Sequence, residues 1–334
     1  MTLNLILLRT VAPNAIRSAK KRMRRMVTRL RLKLSGADYQ TRIGAERMLR
    51  GRERFEELRK ADAVIVSYPK CGRTWLRVMI SRLYQQIHEL PEDVVIEFDN
   101  LHLMNRRVSK ILFTHDDFIR EYSGNIETKV DFYDKKVILL VRDPRDVAVS
   151  LYFHWRYRSQ PWKNEMSGLP PQEGEVSLYD FLLHDRGLAR VIEFMNLWAR
   201  DRENVSAMMM LRYEDMRAAP VQTLSDVVRF LDIQATETQI REAVAYASYE
   251  NMKKKEADQS FKMSGKRLVP GDKDNPDSNK VRRAKVGGYR DHLDEAQMAA
   301  IDALVADNLD PVFGYGGRPQ EAPAEQGENG LIRP

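Results

Sequence analysis

Four short apolar runs, separated by helical patterns, constrain the fold of this 334-residue chain more than any other feature. The runs are residues 63–68, 110–114, 136–141 and 205–211. The clearest of the amphipathic helical patterns between them is TWLRVMISRLYQQI, residues 74–87. Strands that alternate with helices indicate an α/β fold with a central parallel sheet flanked by helices. We therefore predict a single α/β domain over residues 61–315, with all four runs as buried strands.

The composition allows one large domain and excludes several classes of protein. At 43% hydrophobic content the chain can bury a core. The only cysteine, Cys71, excludes an internal disulfide framework and a cysteine-rich zinc site, and it fits a reducing compartment. No apolar run reaches the roughly 18 residues that a membrane span needs. We therefore expect a cytoplasmic protein, with a disordered tail at residues 316–334.

Residues 1–60 form a predicted N-terminal extension that contains a basic helix and a helical connector. Residues 1–37 hold ten Lys or Arg and no Asp or Glu, and apolar residues recur every three or four positions from Ile16 to Leu34. Two interpretations remain open. Such a helix binds an anionic membrane peripherally through residues 1–36, or it packs on its own domain with a solvated basic face. The first interpretation places a cytoplasmic protein at a membrane.

The stretch SYPKCGRTW, residues 67–75, lies between the first predicted strand and a helix. Backbone N–H groups at a helix N-terminus, together with the helix dipole, attract anions. Gly72 permits close approach of the backbone, Lys70 adds a mobile cation and Thr74 offers a hydroxyl. The turn predicts a nucleotide site with the strand-turn-helix design of P-loop NTPases, although it lacks their G-x-x-x-x-G-K-[ST] sequence.

A second element, VRDPRDVAVS, begins with the last residue of the third apolar run. Arg142 stands at the strand end, Pro144 suits the first helical position, and Ser150 lies two helical turns later. Parallel sheets bind ligands at the carboxyl ends of their strands. Arg142 and Lys70 are therefore expected to flank one crevice with two cationic groups.

Three motifs, in order, resemble those of the cytosolic-type sulfotransferases, which use 3′-phosphoadenosine 5′-phosphosulfate (PAPS). YPKCGRTW resembles their Y-P-K-S-G-T-T-W signature, which holds the 5′-phosphosulfate. RDPRDVAVS resembles their R-x-P-x-D-x-x-x-S element, which holds the 3′-phosphate, and VRRAKVGGYRDHL resembles the R-K-G-x-x-G-D-W-K-x-x-F segment that closes over it. The likeness extends over residues 63–315. It implies transfer of a sulfuryl group from PAPS to a hydroxyl, with adenosine 3′,5′-bisphosphate (PAP) as the product and no metal.

The resemblance implies roles for particular residues. Lys70 neutralises the charge on the bridging oxygen as the sulfuryl group leaves, while Trp75 stacks on the adenine. Backbone amides of residues 72–74 hold the 5′-phosphate. The side chains implied at the 3′-phosphate are Arg142, Ser150, Arg282 and Arg283. The full implied set at the donor is Lys70, Cys71, Gly72, Arg73, Thr74, Trp75, Arg142, Ser150, Tyr213, Tyr249, Arg282, Arg283 and Ala284.

His115 is the predicted general base. It follows Thr114 at the end of the second apolar run, as the family His also follows a threonine. A neutral imidazole accepts a hydroxyl proton near physiological pH. Asp116 and Asp117 come next, and they are expected either to orient the imidazole or to act as turn formers and caps.

The chain departs from the family pattern at five positions that bear on the site, and one of them is Phe113, which stands where many relatives carry a Lys two positions before the His and so removes a possible acceptor contact. Cys71 replaces a Ser and Arg73 a Thr in the turn, while Ala284 replaces a Gly and Gly288 an Asp near the C-terminus. Because the turn binds largely through backbone N–H groups, a Cys is tolerated there, and Arg73 adds a cation at the phosphate. The two changes near the C-terminus predict a different geometry for the closing segment.

Two other functions remain open from the sequence. A P-loop kinase-like phosphotransferase needs Mg²⁺ and a Lys followed by Ser or Thr, whereas Lys70 is followed by Cys71. A non-catalytic nucleotide- or anion-binding protein at the membrane periphery would not need His115. Nucleic-acid binding is not expected, because the basic excess lies in one helix without interleaved aromatic residues.

The acceptor is predicted only as a hydroxyl-bearing small molecule, lipid or glycan. Three long segments rich in polar or turn residues are its candidate contacts: 91–108, 156–176 and 262–280. The sequence pattern makes no prediction of the oligomeric state.

Overall fold

The computed structural model describes residues 19, 21–172, 174–258, 275–279 and 283–316. The predictions on the first residues, on most of the 262–280 segment, on Arg282 and on the tail lie outside this part of the chain. The predicted domain boundaries stay predictions.

The described chain forms one sheet of four parallel strands. They are β1 (Ala63–Val66), β2 (Ile111–Thr114), β3 (Lys136–Val141) and β4 (Ala207–Arg212). Their order is β2-β1-β3-β4, so the chain passes from one side of β1 to the other between β2 and β3. At its end β1 pairs with both neighbours, Val66 lying opposite Thr114 on one side and Leu139 on the other. The predicted α/β fold with a central parallel sheet is confirmed.

Helices connect and cover the strands. In chain order they are α1 (residues 21–34), α2 (Tyr39–Lys60), α3 (Arg73–His88), α4 (Asn100–Met104), α5 (Asp117–Ser123), α6 (Pro144–Tyr157), α7 (Pro161–Met166), α8 (Leu178–Leu183), α9 (Leu188–Asp201), α10 (Tyr213–Ala218), α11 (Pro220–Phe230), α12 (Glu237–Tyr246), α13 (Tyr249–Ala257) and α14 (Glu295–Asn308). Single 3-10 turns lie at Val130–Phe132, Arg202–Asn204, Pro276–Ser278, Gly288–His292 and Pro311–Phe313. The segments predicted as long loops at 91–108 and 156–176 therefore contain α4 and α7, and α6 extends to Tyr157.

β4 differs from the prediction of four buried strands. It is an outer strand of the sheet, and while Met208 and Met209 are half-buried, Met210 is 39% exposed. β1 and β2 are buried throughout, as is β3 after its first residue. An apolar run therefore predicted the strand correctly but not its place at the edge.

α1 packs on α2 through its basic residues. Three ion pairs join the two helices: Lys21–Glu57 (2.7 Å), Arg29–Glu46 (3.0 Å) and Arg25–Glu53. The apolar residues of α1 are exposed instead, with Met23, Met26, Leu30 and Leu34 between 55% and 79% accessible. This arrangement differs from the predicted packing, in which the basic face was solvated, because basic side chains of α1 make the contacts with α2. Within the described ranges, no helix has both the length and the apolar character needed to cross a bilayer.

A buried ion pair anchors the chain just after β2. Asp116, which follows His115 directly, is 2% exposed and has a backbone φ of +69°. Its carboxylate accepts a hydrogen bond from Nζ of Lys129, which is equally buried and lies 5.1 Å from the ring centroid of Trp198. Burial lowers the pKa of Lys129, and the attraction of Asp116 opposes that shift. The pair fixes the turn that carries His115, which agrees with the turn-forming role predicted for Asp116.

We expect Lys129→Ala to lower the free energy of unfolding by about 3–5 kcal/mol, because it leaves the buried Asp116 carboxylate without its partner. Replacing both residues, Lys129→Met with Asp116→Asn, should recover part of that loss. Urea denaturation measures the difference. Lys136→Ala is the control, since its pair with Asp232 is exposed and contributes at most about 1 kcal/mol. Equal losses for Lys129→Ala and the control would contradict the anchoring role.

Candidate active site

The carboxyl ends of the four strands bring four predicted site residues to one edge of the sheet. His115, Arg142 and Tyr213 directly follow β2, β3 and β4, and the turn after β1 carries Lys70. Across the sheet their order is therefore His115, Lys70, Arg142 and Tyr213. All four line one cavity of about 1030 Å³. It lies where the strand order reverses around β1, the usual ligand position in open parallel sheets.

The turn between β1 and α3 has an unusual backbone. Lys70 has a φ of +78° and Gly72 one of +90°, both in the left-handed region. Glycine is also required at position 72 for space, because a Cβ there would lie 2.6 Å from the ring of Tyr213. Lys70 adopts this conformation at an energetic cost that is typical of functional turns. α3 begins at Arg73, so its N-terminal end, which carries partial positive charge, lies at the cavity.

Cys71 lies beneath the turn and not in the cavity. Its side chain is 3% exposed and does not belong to the cavity lining. Burial raises the pKa of the thiol to about 12, so the sulfur is protonated at neutral pH and is a poor nucleophile. The predicted contact of Cys71 with the donor is therefore corrected to one that its backbone alone can make.

Asp146 ties the start of α6 to the segment near the C-terminus. Its carboxylate accepts hydrogen bonds from the backbone N–H groups of Gly287 (2.9 Å) and Tyr289 (3.0 Å). It also accepts one from Nη2 of Arg142 (3.2 Å), which donates in turn to the carbonyl oxygen of Lys285 (3.0 Å). Arg142 therefore reaches the cavity with its guanidinium held from two sides.

These bonds place the closing segment at the cavity. Arg283, Ala284 and Lys285 line it together with Ser150 of α6. Ala284 has a φ of +51°, so it keeps the left-handed backbone that favours the Gly of the family motif. Arg283 and Lys285 both pair with Asp291, at 2.9 and 2.7 Å.

Aromatic rings form the wall beside β4. The ring centroids of Trp75 and Tyr213 lie 6.1 Å apart, with the planes inclined at 69°. The indole N–H of Trp75 donates to the carbonyl oxygen of Ala247 (2.7 Å), and Tyr249 lines the cavity two residues further on. The guanidinium of Arg142 lies 4.4 Å from the Tyr213 centroid. The wall offers flat apolar surface next to a fixed cation.

His115 is held in one tautomer by its two hydrogen-bond partners. Nδ1 lies 2.7 Å from the carbonyl oxygen of Ser67, which only accepts, so Nδ1 carries the proton. Nε2 lies 2.7 Å from Nη2 of Arg73, which only donates, so Nε2 presents its lone pair. The imidazole is therefore neutral, and the nitrogen next to Arg73 is the basic one. The sequence did not predict this contact with Arg73.

The structure brings the predicted site residues together, with two exceptions. Those that line the cavity are Lys70, Gly72, Arg73, Thr74, Trp75, His115, Arg142, Ser150, Tyr213, Tyr249, Arg283 and Ala284. Cys71 lies beneath it, and Arg282 lies outside the described residues. In the ranges that are described, no group of three or more His, Cys, Asp or Glu is arranged to hold a metal ion.

Among the lining residues that the sequence analysis missed are Asp146, Lys285 and Arg217. Asp146 and Lys285 stand inside the quoted motifs, so the signal for them was present but was assigned only to their neighbours. The guanidinium of Arg217 lies 5.8 Å from the ring centroid of Trp75. It belongs to none of the three motifs, and only the fold brings it to the cavity.

The chain matches the model of the sulfotransferase domain over residues 60–312 and belongs to that family. Among its relatives, cytosolic sulfotransferase 13 of Arabidopsis thaliana is 26% identical over 275 residues, 76% of this chain and 78% of the relative. Sulfotransferase 2A6 of Mus musculus is 24% identical over 253 residues, 74% of this chain and 84% of the relative.

A solved structure supports the fold. A retinol dehydratase in a complex with retinol and PAP has a TM-score of 0.50 and 18% sequence identity, with 75% of this chain and 81% of that chain covered. At this identity the likeness concerns the fold alone.

Family membership confirms the predicted enzyme class, a sulfotransferase that takes its sulfuryl group from PAPS. It also implies an acceptor that bears a hydroxyl. The two other functions that the sequence left open, a kinase-like phosphotransferase and a non-catalytic binding protein, are not favoured.

Proposed function

We propose that sulfuryl transfer takes place in this cavity, with Lys70 and His115 as the catalytic residues. The observation that carries the proposal is the order of side chains along the sheet edge, from His115 through Lys70 to Arg142. A base, a mobile cation and a second cationic group thus lie in one row. Such a row suits an in-line transfer between an acceptor on one side and a nucleotide on the other.

The donor is bound through two separate anionic groups. PAPS supplies the sulfuryl group: the bond from sulfur to the 5′-phosphate oxygen breaks, a bond to the acceptor oxygen forms, and PAP is released. The N-terminal end of α3 and Lys70 hold the 5′ end. Arg142 and Ser150, with Arg283 from the closing segment, hold the 3′-phosphate. The aromatic wall beside β4 is suited to an adenine ring.

Lys70 stabilises the charge that develops on the departing 5′-phosphate oxygen. Lys70 lies in the turn after β1 with a φ of +78°, so its side chain begins at a defined point beside the cavity. A cation placed in advance where charge develops stabilises the transition state without reorganising solvent. The same turn therefore binds the 5′ end of PAPS and stabilises the 5′-phosphate oxygen as its bond to sulfur breaks.

His115 takes the proton of the acceptor hydroxyl at Nε2. The Nδ1–H bond to the Ser67 carbonyl oxygen keeps that proton away from Nε2 and fixes the ring. The guanidinium of Arg73 donates a hydrogen bond to Nε2 in this structure, so it moves aside when the acceptor binds. The anionic 5′ end of the donor gives Arg73 another partner, because a guanidinium pairs well with phosphate and sulfate oxygens.

We expect PAP to bind at least about tenfold more tightly than AMP, since only PAP presents anionic groups to both Lys70 and Arg142. Arg142→Gln should weaken PAP binding about 10- to 100-fold and change AMP binding little, because a hydrogen bond to a charged group contributes about 1.5–3 kcal/mol. Isothermal titration calorimetry measures both constants. Arg229→Gln is the control, an exposed arginine outside the cavity. Equal affinity of the native protein for PAP and AMP would contradict the two-site donor pocket.

His115→Ala should lower the rate of sulfuryl transfer by about 10²–10⁴-fold while PAP affinity is retained, because general base catalysis contributes a factor of that size. Incubation with isotopically labelled PAPS and fractionated lipids and small metabolites measures the transfer. His88→Ala, outside the cavity, is the matched control. Transfer at the native rate by His115→Ala would show that another group acts as the base.

We also propose that the enzyme is cytoplasmic and that α1 attaches it peripherally to an anionic membrane. The buried Cys71 thiol and the absence of other cysteines fit a reducing compartment. Some basic residues of α1 form ion pairs with α2, and an apolar stripe of the helix remains exposed: Met23, Met26, Leu30 and Leu34. Exposed basic residues flank the stripe: Arg22, Arg24, Arg31 and Lys33. Apolar residues bordered by cations complement an anionic headgroup layer.

We expect the protein to sediment with vesicles that contain phosphatidylglycerol and much less with pure phosphatidylcholine. Met26→Asp with Leu30→Asp should reduce that binding about tenfold or more, because two apolar side chains no longer enter the interface. Neither residue is buried, so the fold is kept. Ile126→Asp with Leu183→Asp alters two exposed apolar residues elsewhere and should bind normally. Native binding by the α1 variant would exclude the stripe as the membrane contact.

A further inference from the structure

The cavity continues past the base toward α2 and α7. α5 begins two residues after His115, and α2 packs on both α5 and α7, where Arg47 donates to the carbonyl oxygen of Met166 (2.6 Å). Arg54 of α2 and Lys163 of α7 line the cavity. Because β2 is the outer strand on this side, these residues lie beyond the base and away from the wall beside β4.

Four of the cations that line the cavity come from α2 and from residues 156–163, and we call the part of the lining that they form the basic chamber: Arg54, Arg156, Arg158 and Lys163. No carboxylate of the described residues lines it. The one carboxylate that lines the cavity at all, that of Asp146, is bonded to Arg142 and to backbone amides on the donor side. The chamber therefore carries charge of a single sign.

Neutral groups hold two of these cations. Nη1 of Arg156 donates to the carbonyl oxygens of Gln172 (3.1 Å) and Gly174 (2.9 Å). Nζ of Lys163 lies 5.5 Å from the ring centroid of Trp162. Carbonyl dipoles and an aromatic face fix the direction of a cation without cancelling its charge.

Acids outside the cavity lining balance the other two cations in part. Arg54 pairs with Glu57 at 2.8 Å, and Glu57 in turn also pairs with Lys21. Burial lowers the pKa of Arg158, and the attraction of Glu256 offsets that effect incompletely. Neutral groups hold Arg156 and Lys163, and Arg54 shares Glu57 with Lys21, so among the described residues the chamber is positive overall.

We propose that the acceptor carries an anionic group, a phosphate, carboxylate or sulfate, near the hydroxyl that is sulfated. This inference rests on the proposed function and narrows the class of its acceptor. A neutral sterol or phenol in the chamber would displace water from the cations without replacing the hydrogen bonds that the water made. An anion makes charge-assisted hydrogen bonds to them, and a cleft lined by one sign of charge concentrates ligands of the opposite sign.

The chamber also fits the position of His115. Its cations line the same cavity as His115, so an anion held by them leaves the hydroxyl of the same molecule within that cavity, where Nε2 is presented. The repulsion between an anionic acceptor and the anionic donor is reduced, because Lys70 and Arg73 both pair with the 5′ end of the donor in the proposed mechanism. Free compounds and membrane lipids both offer this chemistry, and the experiment separates them.

Initial rates with matched acceptors test the proposal. The soluble arm compares glycerol with glycerol 3-phosphate and glucose with glucose 6-phosphate. The lipid arm compares vesicles of phosphatidylglycerol, which carries headgroup hydroxyls and a phosphate, with phosphatidylcholine vesicles that contain diacylglycerol. We expect the anionic member to be preferred about tenfold or more in kcat/KM in one arm, and the arm identifies the source. Added salt should lower the preference.

Substitutions in the basic chamber test whether it causes the preference for anionic acceptors. Arg156→Gln with Lys163→Gln should lower it about tenfold and leave PAP affinity unchanged. The charge-conserving exchange, Arg156→Lys with Lys163→Arg, should keep the preference for anionic acceptors. It thereby distinguishes an effect of charge from an effect of the hydrogen bonds that Arg156 makes to the neighbouring loop. Lys60→Gln with Arg229→Gln removes the same charge outside the cavity lining and should have no effect.

Several results would overturn the proposal. One is equal use of the neutral members, and another is an equal loss of preference in the surface variant. A third is that no anionic compound is sulfated and none binds the PAP complex in calorimetry. Failure of the proposed function has a different signature: PAP binds no better than AMP, or His115→Ala transfers sulfuryl groups at the native rate. If the enzyme sulfates neutral acceptors and this transfer depends on His115, the proposed function stands and the proposal of an anionic acceptor is wrong.

Discussion

Parallel pairing of β1 with both of its neighbours is the constraint on which the site depends. Val66 lies opposite Thr114 on one side and Leu139 on the other, so the chain leaves β1 and β2 at the same level. His115 then faces the turn that carries Lys70. All four residues of β2 are buried, so both faces of the strand are packed and the surrounding core holds its register. The same packing therefore holds His115, which follows the strand directly, in its place at the cavity.

Two polar anchors convert that register into a defined site. On the β2 side, the buried pair of Lys129 with Asp116 holds the turn at His115. On the β3 side, the Asp146 carboxylate joins Arg142 to the amides of the closing segment. Both anchors are buried carboxylates near a strand end, and each accepts a hydrogen bond from a cationic side chain. Removing either partner leaves a buried charge, so the positions of base and donor groups are costly to disturb.

The sequence predicted the strands, the main helices and the residues of the motifs because these depend on local pattern. Pro144 begins α6 and Gly72 precedes α3, as short-range chemistry requires. Features that depend on tertiary neighbours were missed or reversed. Met210 is exposed on β4 although β2, the other outer strand, is buried throughout, and the outward apolar face of α1 follows from the glutamates of α2. No pattern within either segment carries that information.

The exchange of Thr for Arg at position 73 joins the two halves of the site. A threonine there would end near the turn, whereas the guanidinium of Arg73 reaches the Nε2 of His115 from the first residue of α3. The proposed base and the proposed 5′-phosphate site thus share one cation, and a cation bonded to Nε2 cannot stay there while Nε2 accepts a hydroxyl proton. An anion that draws Arg73 toward the turn frees the base at the same time. In the proposed mechanism, donor binding and activation of His115 are coupled through a single side chain, since Arg73 reaches the donor only by leaving Nε2.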